Sequence, residues 1–203
     1  MNVKICGITR LEDALAAVRL GADALGFNFW PRSRRYLAPA DAAPIVRRLP
    51  PGVLAFGVFV DPTREELVEA IARSGVGVAQ LHGDEPPALC QSSPAPVVKA
   101  IRVYGPGALA SFAAYEVSAF LLDAPGPGFG GGGRTFDWEL AAEAAQVARV
   151  YLAGGLTPEN VGEAVRRVRP FGVDVASGVE LMPGVKDEEK MRRFIQSAKE
   201  AAR

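Results

Sequence analysis

An α/β fold closed into a single (β/α)8 TIM barrel, one domain over residues 1–203, is what this sequence predicts. Three observations predict it. Eight short apolar runs alternate with eight amphipathic stretches along the chain. The runs are continuously apolar rather than strictly alternating, as strands covered on both faces are. No linker or charge block interrupts the alternation. Parallel strands need crossover connections, and helices are the usual crossover. Eight such units close into a barrel. An open doubly wound sheet is the alternative, but the strand count, the short chain and the lack of a second-domain signal favour closure.

The strands are predicted at Val3–Cys6, Ala24–Phe29, Leu54–Val60, Val76–Leu81, Val97–Ile101, Ala119–Asp123, Val150–Ala153 and Gly172–Ala176. Between them, Leu11–Val18 follows Thr9, a helix N-cap type. Pro39–Leu49 is the second helix. Pro62–Ile71 is expected to open with Asp61 as its cap and Pro62 at the first helical position. Pro86–Cys90, Gly107–Tyr115, Trp138–Ala148, Pro158–Val168 and Asp187–Ala202 complete the set. Gly21, Gly75 and Gly172 fall where C-terminal caps belong.

Composition narrows the function. Lys+Arg and Asp+Glu balance at 23 each. Neither nucleic acid nor an anionic membrane is therefore the expected partner, since both favour a basic footprint. Two cysteines in different segments make neither a disulfide framework nor a CxxC metal pattern. The start Met1-Asn2-Val3-Lys4 runs straight into a strand pattern without a signal-type apolar stretch. A cytoplasmic protein is expected. No HxH or HExxH spacing supports a metal site, and no P-loop is present.

In such barrels the active site lies at the C-terminal strand ends. Those ends carry the unusual residues. Strand one ends in Cys6-Gly7, strand two runs into Arg32, Arg34 and Arg35, and strand four ends in Gln80-Leu81-His82. Strand five ends near Arg102, strand six in Asp123, strand seven in Gly154-Gly155, and strand eight in Asp174-Val175-Ala176-Ser177-Gly178. Titratable and glycine residues thus crowd one rim, while apolar residues fill the strand bodies.

Each has a plain reading beside the functional one. Cys6 is a small buried hydrophobe, half of a disulfide, or a reactive thiol. Cys90, on a helix face, reads as structural. Asp123 is a cap or a catalytic acid or base. His82, the single histidine, is a satisfied structural residue or a neighbour of the site. The three arginines are a solvated patch or a carboxylate clamp. Pro125–Arg134 is a glycine-rich linker or a loop that closes over a ligand. Gly154-Gly155 and Ser177-Gly178 are tight turns or a phosphate cradle, because bare backbone can come close to an anion.

The segments KICGIT, GADALGFNFWPRSRRYL, GVFVD, QLHGDE, LLDAPGPGFGGGGRTFDW, LAGGLTPENV and FGVDVASGVE together resemble the phosphoribosylanthranilate isomerases of tryptophan biosynthesis. The likeness runs in order from Lys4 to about Gly184. It implies a barrel enzyme that needs no cofactor and no metal. It implies an Amadori rearrangement of N-(5-phosphoribosyl)anthranilate, an aminoaldose, to 1-(2-carboxyphenylamino)-1-deoxyribulose 5-phosphate, an aminoketose.

The resemblance places the general base on Cys6 and the general acid on Asp123. It places the arginine facing the anthranilate carboxylate on Arg35, and the phosphate loops on Gly154, Gly155, Ser177 and Gly178. Gln80, His82 and Asp174 are expected to line the site. The acid has to start protonated, which asks for an apolar, partly closed surrounding. The base has to be a thiolate, which nearby arginines are expected to help hold. Apolar helix surfaces would support a homodimer.

One departure is Ala176, where many relatives carry serine. The glycine content of Gly126–Gly133 is another. The nearest rival is the histidine-pathway aminoaldose isomerase, which would want an aspartate at the end of strand one and a second phosphate cradle. A non-catalytic phosphosugar-binding barrel and a thiol-redox protein are the readings from other classes.

Overall fold

The computed structural model describes residues 1–124 and 137–203. The glycine-rich loop Gly126–Gly133, expected to close over a ligand, lies outside the described residues. Eight parallel strands form a closed barrel in sequence order. They are β1 (Asn2–Cys6), β2 (Ala24–Asn28), β3 (Leu54–Phe59), β4 (Val78–Leu81), β5 (Val97–Arg102), β6 (Ala119–Asp123), β7 (Val150–Leu152) and β8 (Gly172–Val175). β8 closes back onto β1, with Lys4 opposite Asp174.

The crossovers are α1 (Leu11–Arg19), α2 (Pro39–Val46), α3 (Arg64–Ser74), α4 (Pro87–Gln91), α5 (Trp138–Val147), α6 (Val161–Val168) and α7 (Glu188–Ala201). Pro106–Ala114, expected as a helix from Gly107, is a 3-10 helix between β5 and β6.

Two packed regions follow from the period of two along each strand. Outward residues such as Ile5, Leu25, Leu81 and Leu122 pack beneath the helices. Inward residues, among them Phe56, Val98, Leu121 and Tyr151, fill the barrel interior. Toward the C-terminal ends the inward positions turn polar: Cys6, Asn28, Gln80 and Asp123. The interior is thus an apolar plug with a polar mouth, which places the site.

Several expected caps differ. Thr9 does not cap α1: its hydroxyl donates to the Gly184 carbonyl at 2.5 Å, and Arg10 occupies the cap position. Asp61 does not cap α3. Thr63 does, in a capping box with Glu66, which puts Pro62 before the helix. Asp61 instead has a left-handed backbone (φ 47°) and accepts from the Asp84 N–H at 2.6 Å. Gly75 caps α3 at φ 74°, as expected. Gly172 caps nothing: Arg169 takes the left-handed position after α6, and Gly172 starts β8. A Cβ at Gly172 would sit 2.6 Å from the Tyr151 ring, so glycine makes room for that ring in the interior. α6 begins at Val161 rather than Pro158.

After β8 the chain adds a short 3-10 turn (Ser177–Val179) and an antiparallel hairpin, β9 (Glu180–Met182) with β10 (Val185–Lys186). Nothing in the strand pattern announced it, and it sets Glu180 against Arg35 and Lys186 against the Cys6 carbonyl.

Candidate active site

The C-terminal strand ends enclose a cavity of about 380 Å³. Cys6, Arg35, Gln80, His82, Asp123 and Asp174 all line it, with Gly154, Gly155 and Ser177 on the β7 and β8 side. Arg32 and Arg34 line it too. Gly178 does not. It lies behind Ser177, where a Cβ would overlap the Leu156 carbonyl oxygen.

Cys6 is the last residue of β1 and points inward, two positions after Lys4. Both cysteines are free, and Cys90 is buried on α4, so the disulfide and thiol-redox readings fall. Burial pushes the Cys6 thiol up, and the Lys4 and Lys186 ammonium groups pull it down. Two lysines thus act on this sulfur, and Arg35, one of the expected arginines, also interacts with it. Lys4 is fully buried and pairs with Asp174 Oδ1 at 2.8 Å. Burial opposes its charge, but Asp174 and then Cys6 hold its pKa well above the usual lysine value. Lys186, on β10, donates to the Cys6 and Ala176 carbonyls and pairs with Glu180 at 2.8 Å.

Asp123 ends β6 and is 4% exposed. Its Oδ1 accepts the Ala124 N–H at 2.9 Å, and its Oδ2 lies 3.2 Å from His82 Nε2. Gln80 Nε2 donates to His82 Nδ1 at 3.0 Å, which leaves the imidazole proton on Nε2, facing Asp123. The surrounding of Asp123 is therefore buried but polar, not the apolar pocket expected. Gln80 Oε1 is buried with no hydrogen-bond partner.

Arg35 does line the cavity, but Nε and Nη2 grip Glu180 bidentately, Nη2 at 2.7 Å from Oε2. Gly7 allows this. Its φ is +76°, and a Cβ there would lie 2.5 Å from Arg35 Cδ. Burial pushes the Glu180 carboxyl up, but Arg35 and Lys186 outweigh it and hold the group below its usual value.

Gly154 and Gly155 are both left-handed, at φ 77° and 65°. A Cβ at Gly154 would sit 2.5 Å from the Ala124 nitrogen, so the β7 loop packs directly on the segment that carries Asp123. Asn160 ties this loop, donating to the Gly155 carbonyl at 2.9 Å.

Among the described residues no cluster of three or more His, Cys, Asp or Glu is arranged to hold a metal ion. Among the same residues, no helix is long and apolar enough to cross a membrane.

Sequence reasoning missed Lys4, Glu180 and Lys186. Lys4 left a signal, a lysine at the inward period of an otherwise apolar strand. Glu180 and Lys186 left none, because only the hairpin brings them under Arg35 and Cys6.

A family model described as N-(5'phosphoribosyl)anthranilate (PRA) isomerase matches residues 3–197. The chain belongs to this family. A relative from Geobacter sp. (strain M21), named N-(5'-phosphoribosyl)anthranilate isomerase, is 53% identical over 199 residues, 98% of each chain. The crystal structure of phosphoribosyl anthranilate isomerase from Thermus thermophilus superposes with a TM-score of 0.91 at 44% identity, covering 98% of this chain and 99% of that one. A phosphoribosyl anthranilate isomerase solved in complex with reduced 1-(o-carboxyphenylamino)-1-deoxyribulose 5-phosphate superposes with a TM-score of 0.88 at 41% identity, over 98% of this chain and 99% of that one.

Proposed function

We propose that this chain isomerises N-(5-phosphoribosyl)anthranilate to 1-(2-carboxyphenylamino)-1-deoxyribulose 5-phosphate in tryptophan biosynthesis, with Cys6 as general base and Asp123 as general acid. The observation that carries it is one cavity lined by a thiol from β1, a carboxyl from β6, Gly154 and Gly155 from the β7 loop with Ser177 from the β8 loop, and a guanidinium from the β2–α2 loop. Family membership supplies the reaction; the geometry supports the roles.

The phosphate of the substrate sits against Gly154 and Gly155, where missing side chains let backbone approach an anion, and against Ser177. Gly178 contributes from behind, by letting the β8 loop lie against Leu156. The anthranilate carboxylate meets Arg35. Glu180 takes the Nε and Nη2 sides, so the guanidinium is fixed in direction while its other N–H donors remain for the substrate. Gripping both ends orients the ribose between acid and base. Gln80 Oε1, a buried acceptor without a partner, suits a ribose hydroxyl.

Asp123 gives its proton to the ring oxygen as the C1–O bond breaks and the amine nitrogen forms the iminium. His82 Nε2–H and Ala124 N–H then steady the carboxylate left behind. The iminium acidifies C2–H, and the Cys6 thiolate removes that proton to give the enolamine. Tautomerisation places a proton on C1 and removes the C2 hydroxyl proton, which returns thiol and carboxyl to their starting forms.

The test is turnover of freshly made phosphoribosylanthranilate, followed by loss of its anthranilate-type fluorescence, for wild type, Cys6→Ala and Asp123→Asn. Rapid loss with wild type and a fall of about a hundredfold or more in each variant is expected. Turnover that survives Cys6→Ala removes the thiol from the mechanism. A folded wild type that leaves the substrate untouched favours a phosphosugar-binding barrel instead.

A further inference from the structure

Cys6 poses a problem that its own position does not solve. The thiol is 9% exposed, and burial alone drives it toward the neutral form. A base needs the thiolate. Something in the barrel has to favour the anion.

The charged groups around the sulfur come from several elements. Lys4 lies on β1 itself, Asp174 on β8 and Lys186 on β10. Arg35, in the loop after β2, also feels Cys6, and Glu180 on β9 holds Arg35 and Lys186. Two of these cations are already committed. Lys186 donates to the Cys6 carbonyl, not to its sulfur, and is paired with Glu180. Arg35 is gripped bidentately by the same carboxylate.

Lys4 is placed differently. It stands two residues before Cys6 on the same inward face of β1. Its partner Asp174 faces it directly across the β1–β8 register and holds Nζ at 2.8 Å. Cys6 and Gly26 face each other across the β1–β2 register. A Cβ on Gly26 would lie 2.8 Å from Cys6 Sγ and 2.9 Å from Lys4 Nζ. Sulfur and ammonium therefore border the same space over the bare Cα of Gly26, a space that the side chain of any other residue would fill.

We propose that Lys4, aimed by Asp174 and given room by Gly26, is the counter-cation that holds Cys6 as a thiolate. Lys4 touches no reacting atom in this scheme. It acts through Cys6 and is a positioning residue. Asp174 has two opposed effects. It orients the ammonium, and its own negative charge disfavours the thiolate beside it. The two members of one buried ion pair should therefore move the cysteine in opposite directions when neutralised. For turnover, the inference rests on Cys6 being the base; for the state of the thiol, it does not.

The experiment reads the thiol directly. Wild type, Lys4→Met, Asp174→Asn and the double variant are alkylated with iodoacetamide across pH. The modified Cys6 peptide is quantified by mass spectrometry, with Cys90 as the internal comparison and circular dichroism as the check on folding. Lys4→Met is expected to raise the Cys6 midpoint by about a unit or more, which is about tenfold slower alkylation at a fixed pH below it. Asp174→Asn is expected to lower the midpoint, and the double variant to fall between the two single ones. An unchanged midpoint in Lys4→Met, or a shift of the same sign in both single variants, overturns the proposal, since a packing role would act alike in both. If Lys4→Met does not fold, Lys4→Gln takes its place: a raised Cys6 midpoint supports the coupling, and an unchanged or lowered one overturns it. Turnover is measured separately. Opposite midpoint shifts with turnover unaffected would keep the Lys4–Cys6 coupling and remove Cys6 as the base.

Discussion

His82 Nε2 lies 3.2 Å from Asp123 Oδ2, and Gln80 Nε2 lies 3.0 Å from His82 Nδ1. The three side chains form a line from β4 to β6 that ends on the proposed acid. Its use comes after proton transfer, when Asp123 is an anion that needs donors. Removing the donor should cost most in the transition state. His82→Ala is expected to lower kcat by about tenfold to a hundredfold, the range for removing a hydrogen bond to a charged group. KM should change much less. Steady-state kinetics separate the two, and an equal loss in both constants would make His82 a general binding residue instead.

Gly7 carries no chemistry, yet it decides where Arg35 lies. Its backbone is left-handed, and a Cβ would sit 2.5 Å from Arg35 Cδ. Gly7→Ala is expected to displace the arginine and to strain the backbone by about 1 kcal/mol or more. KM for phosphoribosylanthranilate should rise more than kcat falls, and Tm should drop. Kinetics together with a thermal melt check this. An unchanged KM would mean that Arg35 does not bind the substrate carboxylate.

How much of this was legible depends on the range of the interaction. The barrel was readable because eight apolar runs of strand length, each followed by polar residues, report local period and burial directly. That Cys6, Gln80 and Asp123 line one cavity was readable for the same reason, each standing at or near a strand end. Lys4 was half legible, a charge inside an apolar strand whose partner Asp174 is 170 residues away. Glu180 and Lys186 were not legible, since their roles come from a hairpin that folds under Arg35 and Cys6. The helix caps failed at a finer grain. Asp61 and Thr63 are both good cap types, and only Thr63 has Glu66 three residues on to complete a capping box.

Glu180 joins Arg35 and Lys186 in one buried cluster, and its carboxyl titrates below the usual value because those cations outweigh the effect of burial. The sign follows from linkage. A carboxyl depressed in the folded state contributes stability above its unfolded pKa and loses that contribution as pH falls through its folded pKa. Glu180→Gln is therefore expected to lower Tm at neutral pH, where two cations lose their partner, and to lower it less below about pH 4, where an unfolded-state glutamate is itself protonated. Melts from pH 7 to pH 3 test this, and a difference that grows on acidification contradicts it.

Gly178 supplies the last test, of the cradle. It lies behind the cavity lining, with ordinary backbone angles, and an added Cβ would overlap the Leu156 carbonyl oxygen. The β7 and β8 loops would have to separate to admit it. Backbone cannot give way as a flexible side chain can, so Gly178→Ala is expected to shift Ser177 away from Gly154 and Gly155. If these loops hold the substrate phosphate, affinity falls for inorganic phosphate and for substrate together. The fall should be about tenfold or more, the effect of removing one charge-assisted hydrogen bond. The thiol of Cys6, on the far side of the β8–β1 seam, should alkylate as in wild type. Calorimetric titration with phosphate checks the first expectation and iodoacetamide the second. Unchanged phosphate binding in the folded variant would move the phosphate site away from the β7 and β8 loops.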